Sequence, residues 1–231
     1  MSAADRLVEA VCAAPEHPLA APLRAWCAAS RPFLAFAQAN TPKLRRKVRG
    51  AVGADAGAAL WAELAVAAWL LRSGGGTLTY EPLRAGGGRG PDFALTLPNG
   101  GVVYVEVAHL RGGGQQPAYK LARVLADKIG QLPPGEAGVL AAALPTDAPA
   151  DTVAPDALRL LARAAQGETL PGVPPDKARD FERLRARLSG VLLLSEGRSE
   201  GEGEGEPPAV TFWAQGGAAH PLSPAALRVL R

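Results

Sequence analysis

The chain has 231 residues, 48% of them hydrophobic and 20% charged, with a formal net charge of +3. That length suits one domain, or one domain with an added subdomain, and the composition excludes a disordered or fibrous chain. No uninterrupted apolar run reaches the roughly 18 residues needed to span a bilayer, so no membrane partner is expected.

The start, MSAADRLVEA, lacks a cationic segment followed by an apolar one, and the expected location is cytoplasmic. Residues 1 to 50 read as helices, with apolar residues at helical spacing in SAADRLVEAVCAA and PLRAWCAASRPFLAFAQAN. Cys12 and Cys27 fall here, too few for a disulfide framework, and read as structural thiols. TPKLRRKVRG follows, with Thr41 as the expected N-cap and Pro42 at the first helical position. Its Lys43, Arg45, Arg46, Lys47 and Arg49 are candidates for phosphate contacts, set against the reading of a solvated helix face.

The next helix is expected from about Asp55 to Arg72, with Asp55 as its cap and SGGG as its end. It is apolar nearly all round, so it should be buried. Between Leu60 and Leu71 its one charged residue is Glu63, and a lone carboxylate on a buried helix is costly unless it is paired, hydrogen-bonded or metal-bound.

TLTYEPL (77–83) reads as a strand, RAGGGRG as a loop, and 91–97 and 102–110 as two strands around the turn sequence PNG. QQPAYKLARVLADKIGQL (115–132) reads as a crossover helix and AGVLAAAL (137–144) as a central strand. Helices are expected at 151–166 and 174–188. GVLLLSE and AVTFWAQ then form a strand pair around an acidic Gly/Glu loop expected to be solvated. Residues 196–206 hold five Glu and one Arg, so the rest of the chain carries +7, a mild basic bias compatible with a nucleic-acid partner. The order implies a mixed β-sheet flanked by helices, a helical region over 1–54 and an α/β domain over 55–231 with its core at 55–145, packed as one unit. The oligomeric state stays open, a homodimer included.

The 91–110 hairpin carries the chemistry. If PNG is a three-residue loop, Leu97 pairs with Gly101, and counting back five positions sets Asp92 opposite Glu106. Opposed residues share a face with Cβ atoms about 4.5–5.5 Å apart, and two carboxylates that close repel unless a proton or cation lies between them. A divalent cation such as Mg²⁺ is an economical solution.

PDF, then a turn, then VEVA, preceded by a helix bearing Glu63 in AEL, resembles the PD-(D/E)XK nuclease superfamily over about residues 55 to 145. The resemblance implies an α/β, restriction-endonuclease-like mixed sheet with an N-terminal helical extension. It implies that Asp92 and Glu106 bind Mg²⁺ or Mn²⁺, with the backbone carbonyl of Val107 as a further ligand and Glu63 holding a metal-bound water or a second metal. The implied activity is metal-dependent hydrolysis of a phosphodiester in DNA, less readily in RNA. The alternative is a catalytically inactive relative that binds nucleic acid or a partner protein; a third reading is an interaction module whose carboxylates are salt-bridged.

The sequence departs from the family at one point. The lysine should stand two residues after the glutamate on the same face, where this chain has Ala108. His109 falls on the opposite face and reads as structural. In the superfamily the lysine can move to the following helix, which offers Lys120 and Lys128. A strand end about 13 Å from Glu106 needs about nine helical residues to return, reaching about residue 125 or 126, nearer Lys128. Lys128 also lies one turn before Gln131, while Lys120 shares a face with Asp127 and Gln131, so both lysines and Gln131 stay candidates. The loops 86–90 and 111–114 lack P-loop or dinucleotide spacing and read as rims of the site, where Arg84, Arg89 and Arg111 could contact phosphates.

Overall fold

The structure is a computed structural model that describes residues 1–14, 16–82, 90–110, 116–144, 150–195 and 209–231. The expected acidic loop, Arg84, Arg89 and Arg111 lie outside the described residues.

Helix α1 (Ala3–Cys12) opens on a capping box: the Ser2 hydroxyl accepts the Asp5 N–H at 3.1 Å, and the Asp5 carboxylate accepts the Ser2 N–H at 3.0 Å. The helical run at 22–40 is broken into α2 (Ala20–Ala29) and α3 (Arg31–Ala39). Ser30 between them is extended, and its hydroxyl accepts the Phe33 N–H and donates to the Leu71 carbonyl. Pro32 supplies no N–H and fits only the first turn of a new helix, which places the break.

Helix α4 (Thr41–Gly50) starts from Asn40, not from Thr41 as its cap; the Thr41 hydroxyl instead donates back to the Ala37 carbonyl at 3.1 Å. Likewise α5 (Ala54–Leu71) begins after Gly53, whose φ of +90° suits a residue without Cβ, and Asp55 lies inside the first turn. Among the described residues α5 alone has the length and mean hydropathy, 1.4, to cross a membrane. Here it is a core helix: Ala62 and Leu64 to Ala67 have no exposed surface.

The described strands make one six-stranded sheet in the order β1 (Thr77–Tyr80), β2 (Phe93–Thr96), β3 (Val102–His109), β4 (Ala137–Leu144), β5 (Leu188–Ser195) and β6 (Val210–Ala214). β1, β2 and β3 are antiparallel neighbours, β3–β4 and β4–β5 are parallel, and β6 returns antiparallel. Parallel neighbours need crossovers. Helix α6 (Pro117–Lys128) supplies the first; α7 (Ala150–Ala165) and α8 (Pro175–Leu184) supply the second. A last helix, α9 (Pro224–Leu230), goes beyond the elements read from sequence.

The hairpin closes in the expected register. Leu97 N–H donates to the Gly101 carbonyl at 2.8 Å, and Phe93 pairs with Val105. Strand alternation then sorts the core into two. Val103, Val105 and Val107 pack with α5 and the N-terminal helices, while Leu140, Ala142, Val191 and Leu193 pack with α6, α7 and α8. Burying each such side chain contributes about 1.5–3 kcal/mol. The even-numbered face of β3, which carries Glu106, therefore turns toward α6.

Candidate functional site

β2 stops at Phe93 while β3 runs on to His109, so the β3 edge facing β2 lies open beyond Val105. Asp92 sits at this opening. Its Oδ2 accepts the Val107 N–H at 2.8 Å, and its carbonyl accepts the Glu81 N–H at 2.7 Å, fixing both its side chain and its backbone. A strand residue sends its N–H and C=O from the same edge, so the Val107 carbonyl also faces this opening. Continuing the register one step sets Asp92 opposite Glu106, as the turn count predicts.

Glu106 is 1% exposed. Its Oε1 accepts from Lys128 Nζ at 2.5 Å, and its Oε2 is buried with no hydrogen-bond partner. An orphaned carboxylate oxygen in a closed site is a costly feature that calls for a ligand. Burial first, then the Asp92 charge, pushes the Glu106 carboxyl up to about 7, against the pull of Lys128. Burial likewise raises Asp92, opposed by the Val107 N–H and by Lys128.

Glu63 reaches the same region from α5. Its Oε1 lies 2.5 Å from Lys47 Nζ, and Lys47 also lies 3.1 Å from Glu81 Oε1. Lys43, one turn earlier on α4, lies 3.2 Å from Glu81 Oε2. Both ammoniums stand over the Tyr80 ring, 4.7 Å and 4.6 Å from its centroid, and that ring stacks on Phe93 at 5.2 Å. Burial raises the Glu63 carboxyl, Lys47 opposes the rise, and Asp92 adds to it.

A cavity of about 470 Å³ opens beside these groups; its wall includes Lys47, Glu63, Asp92, Val107, Ala108 and Lys128, but not Glu106 or Glu81. Gly50, Ala51, Ala56 and Ala59 add a wall of small residues. Ala108 follows Glu106 by two residues on β3 and offers no charge, and the ammonium beside Glu106 comes from α6. Of the two lysine candidates, Lys128 lines this cavity; Lys120 and Gln131 are not in its wall. His109 does line it, although strand alternation turns it to the other face.

The basic candidates divide. Lys47 is ion-paired inside the site, Arg45 Nε donates to the Ala10 carbonyl at 2.6 Å and ties α4 to α1, and Arg46 is exposed. Glu81 and Tyr80 went unrecognised as site residues, and Lys43, read as a phosphate-contact candidate, instead pairs with Glu81. The available signal was the spacing of Lys43 and Lys47, one turn apart and each next to a buried residue, Leu44 or Val48.

No family model matches the sequence, and no curated protein matches it.

Among the described residues, no three His, Cys, Asp or Glu side chains stand together as a ready ligand set. Mg²⁺ does not require one, since it is commonly held by one or two carboxylates with waters and substrate oxygens. Asp92 and Glu106 meet that need: two hard oxygen donors, the charge of Asp92 raising the Glu106 carboxyl, and Glu106 with a free buried oxygen. The residues present fit the cation.

Proposed function

We propose that the protein is a Mg²⁺- or Mn²⁺-dependent phosphodiester hydrolase acting on DNA, with a restriction-endonuclease-like core. The observation that carries this reading is Asp92, held by the Val107 N–H at the open edge of β3 next to Glu106, with Glu106 Oε2 buried and unpartnered. Asp92, Glu106 and the Val107 carbonyl would hold the cation. When bound, the cation supplies charge stabilisation at a phosphate oxygen and lowers the pKa of a bound water.

The chain's own residues do the rest. The Val107 N–H pins the Asp92 carboxylate at 2.8 Å, so its free oxygen needs little reorganisation. Lys128 places a positive charge beside Glu106, where negative charge develops on a phosphate during hydrolysis. This is the task that Ala108 cannot perform. Glu63, a buried carboxylate with a raised pKa, accepts a proton from water at neutral pH better than an exposed one. Arg46 and Arg49, exposed on the helix that carries Lys47, supply guanidiniums for backbone phosphates.

Ala108 favours a second reading, a nuclease-fold protein that binds nucleic acid or a partner without cleaving. One experiment separates the two. Metal-dependent cleavage of plasmid and oligonucleotide DNA that is lost in Asp92→Ala supports the hydrolase; DNA binding that persists in chelator, with no cleavage in Mg²⁺ or Mn²⁺, supports the second reading.

A further inference from the structure

The carboxylates in and beside the cavity fall into two groups with different ion pairing. On the α4 side, Glu63 and Glu81 face two ammoniums, Lys43 and Lys47, and the charges cancel. On the α6 side, among the described residues, the one paired ammonium is Lys128, on Glu106, and Asp92 has the Val107 N–H rather than an ammonium as its close partner. Glu81 Oε2 and Glu106 Oε2 are both buried without a hydrogen bond, but Glu81 Oε2 has the Lys43 ammonium at 3.2 Å, and Glu106 Oε2, in the second group, has no ammonium paired to it. A divalent cation gains most where charge is uncompensated and a ligand atom is free, because a buried oxygen with no partner already carries its desolvation cost.

Lys47 is held as a fixed part of the site. It bridges Glu63 Oε1 at 2.5 Å and Glu81 Oε1 at 3.1 Å and rests on the Tyr80 ring. Phe93 and Phe36 back that ring, with centroids at 5.2 Å and 5.7 Å. Lys43 closes the far side of Glu81, so Lys47 cannot swing away without leaving the buried Glu63 carboxylate without its ammonium. A helix outside the 55–145 core thus sends an ammonium between two acidic side chains of that core.

We propose that the site takes a single divalent cation, between Asp92 and Glu106, and that the Lys47 ammonium permanently occupies the Glu63–Glu81 position where a second cation would otherwise bind. This rests on the metal-dependent reading above and deepens it. Lys47 is then a positioning residue: it holds Glu63 in place and gives the N-terminal helices a part in the site. An ammonium is a fitting substitute, since it carries positive charge to both carboxylates while needing no octahedral shell.

The test is the Mn²⁺ stoichiometry of the metal-free full-length protein, read by electron paramagnetic resonance of free Mn²⁺ and by calorimetry. Wild type should bind one Mn²⁺. Lys47→Met, which keeps the apolar stem and removes the charge, should bind two, and adding Glu81→Gln should return the count to one. Lys47→Arg, which keeps the charge and guards against a folding artefact, should bind one. Wild type binding two, or Lys47→Met in a folded state still binding one, overturns the proposal and leaves the hydrolase reading standing. Wild type binding none overturns both. A count rising from one to two without any cleavage upholds the ammonium's role and contradicts the hydrolase reading.

Discussion

Lys128 Nζ lies 2.5 Å from Glu106 Oε1, so the helix after β3 delivers an ammonium to the carboxylate whose strand neighbour, Ala108, has none to offer. The strand keeps its acid and the crossover helix supplies the cation. Lys128 sits at the last residue of α6, where the chain has run back along the sheet to the level of Glu106.

Lys128→Ala should therefore lower kcat of metal-dependent cleavage by about 10²–10³, the usual loss when one preorganised charge-stabilising group is removed. KM should change little, because the interaction strengthens in the transition state. Lys120→Ala, on the first turn of α6 and away from the cavity wall, should keep kcat within about twofold of wild type. Steady-state kinetics on an oligonucleotide duplex checks both; a larger loss in Lys120→Ala than in Lys128→Ala would reverse the assignment.

The pH dependence follows from the raised carboxyls. Burial and the Asp92 charge push Glu106 up to about 7, above its value in the unfolded chain. A raised pKa means that the folded state prefers the protonated form. Its contribution to stability is complete below pH 4.5, the model-compound value, and is lost as pH rises through about 7. The metal-free protein should accordingly lose Tm between these limits, and Glu106→Gln should flatten that loss. Metal binding runs the opposite way, because the cation needs the carboxylate: Mn²⁺ affinity should fall by about tenfold per pH unit below 7. Thermal melts and calorimetric titrations from pH 5 to pH 8 read both slopes.

Packing at the other end of β4 gives a test of the fold that leaves the site alone. A Cβ on Gly138 would stand 2.6 Å from the Arg187 carbonyl oxygen and 2.9 Å from Leu132 Cδ1. Gly138 pairs with Tyr104 and Leu188 where the β4–β5 register shifts, away from the Val107 end of β3. Gly138→Ala should cost about 1–3 kcal/mol, as overpacking of a dense core does. Denaturant unfolding should show that loss, with Mn²⁺ affinity unchanged in the folded protein.

What the sequence disclosed of this molecule was mostly local. The PNG turn settled the hairpin register because a three-residue loop leaves one pairing, and strand alternation then put Asp92 and Glu106 together. A nearly all-apolar helix announced its own burial, and with it the cost of Glu63. The Ser30 break was readable too, from Pro32, but helical spacing on both sides masked it. Glu81 and Lys43 were not legible, because they meet only when α4 packs against the end of β1, a contact across 38 residues of chain. Lys47 looked like one more cation on a solvated basic helix, since spacing alone does not say which flank of α4 the core will cover. The choice between Lys120 and Lys128 turned on where α6 begins: a start at Pro117 and an end at Lys128 put the last residue, not the first turn, beside Glu106.

The central claim is that Asp92 and Glu106 share one hydrolytic cation, and Mn²⁺-dependent cleavage by wild type beside Asp92→Ala tests it most directly. The account predicts cleavage of DNA by wild type in Mg²⁺ or Mn²⁺, none in chelator, and neither cleavage nor tight Mn²⁺ binding by a folded Asp92→Ala. Cleavage that survives in Asp92→Ala, or a wild type that neither binds Mn²⁺ nor cuts, would contradict it.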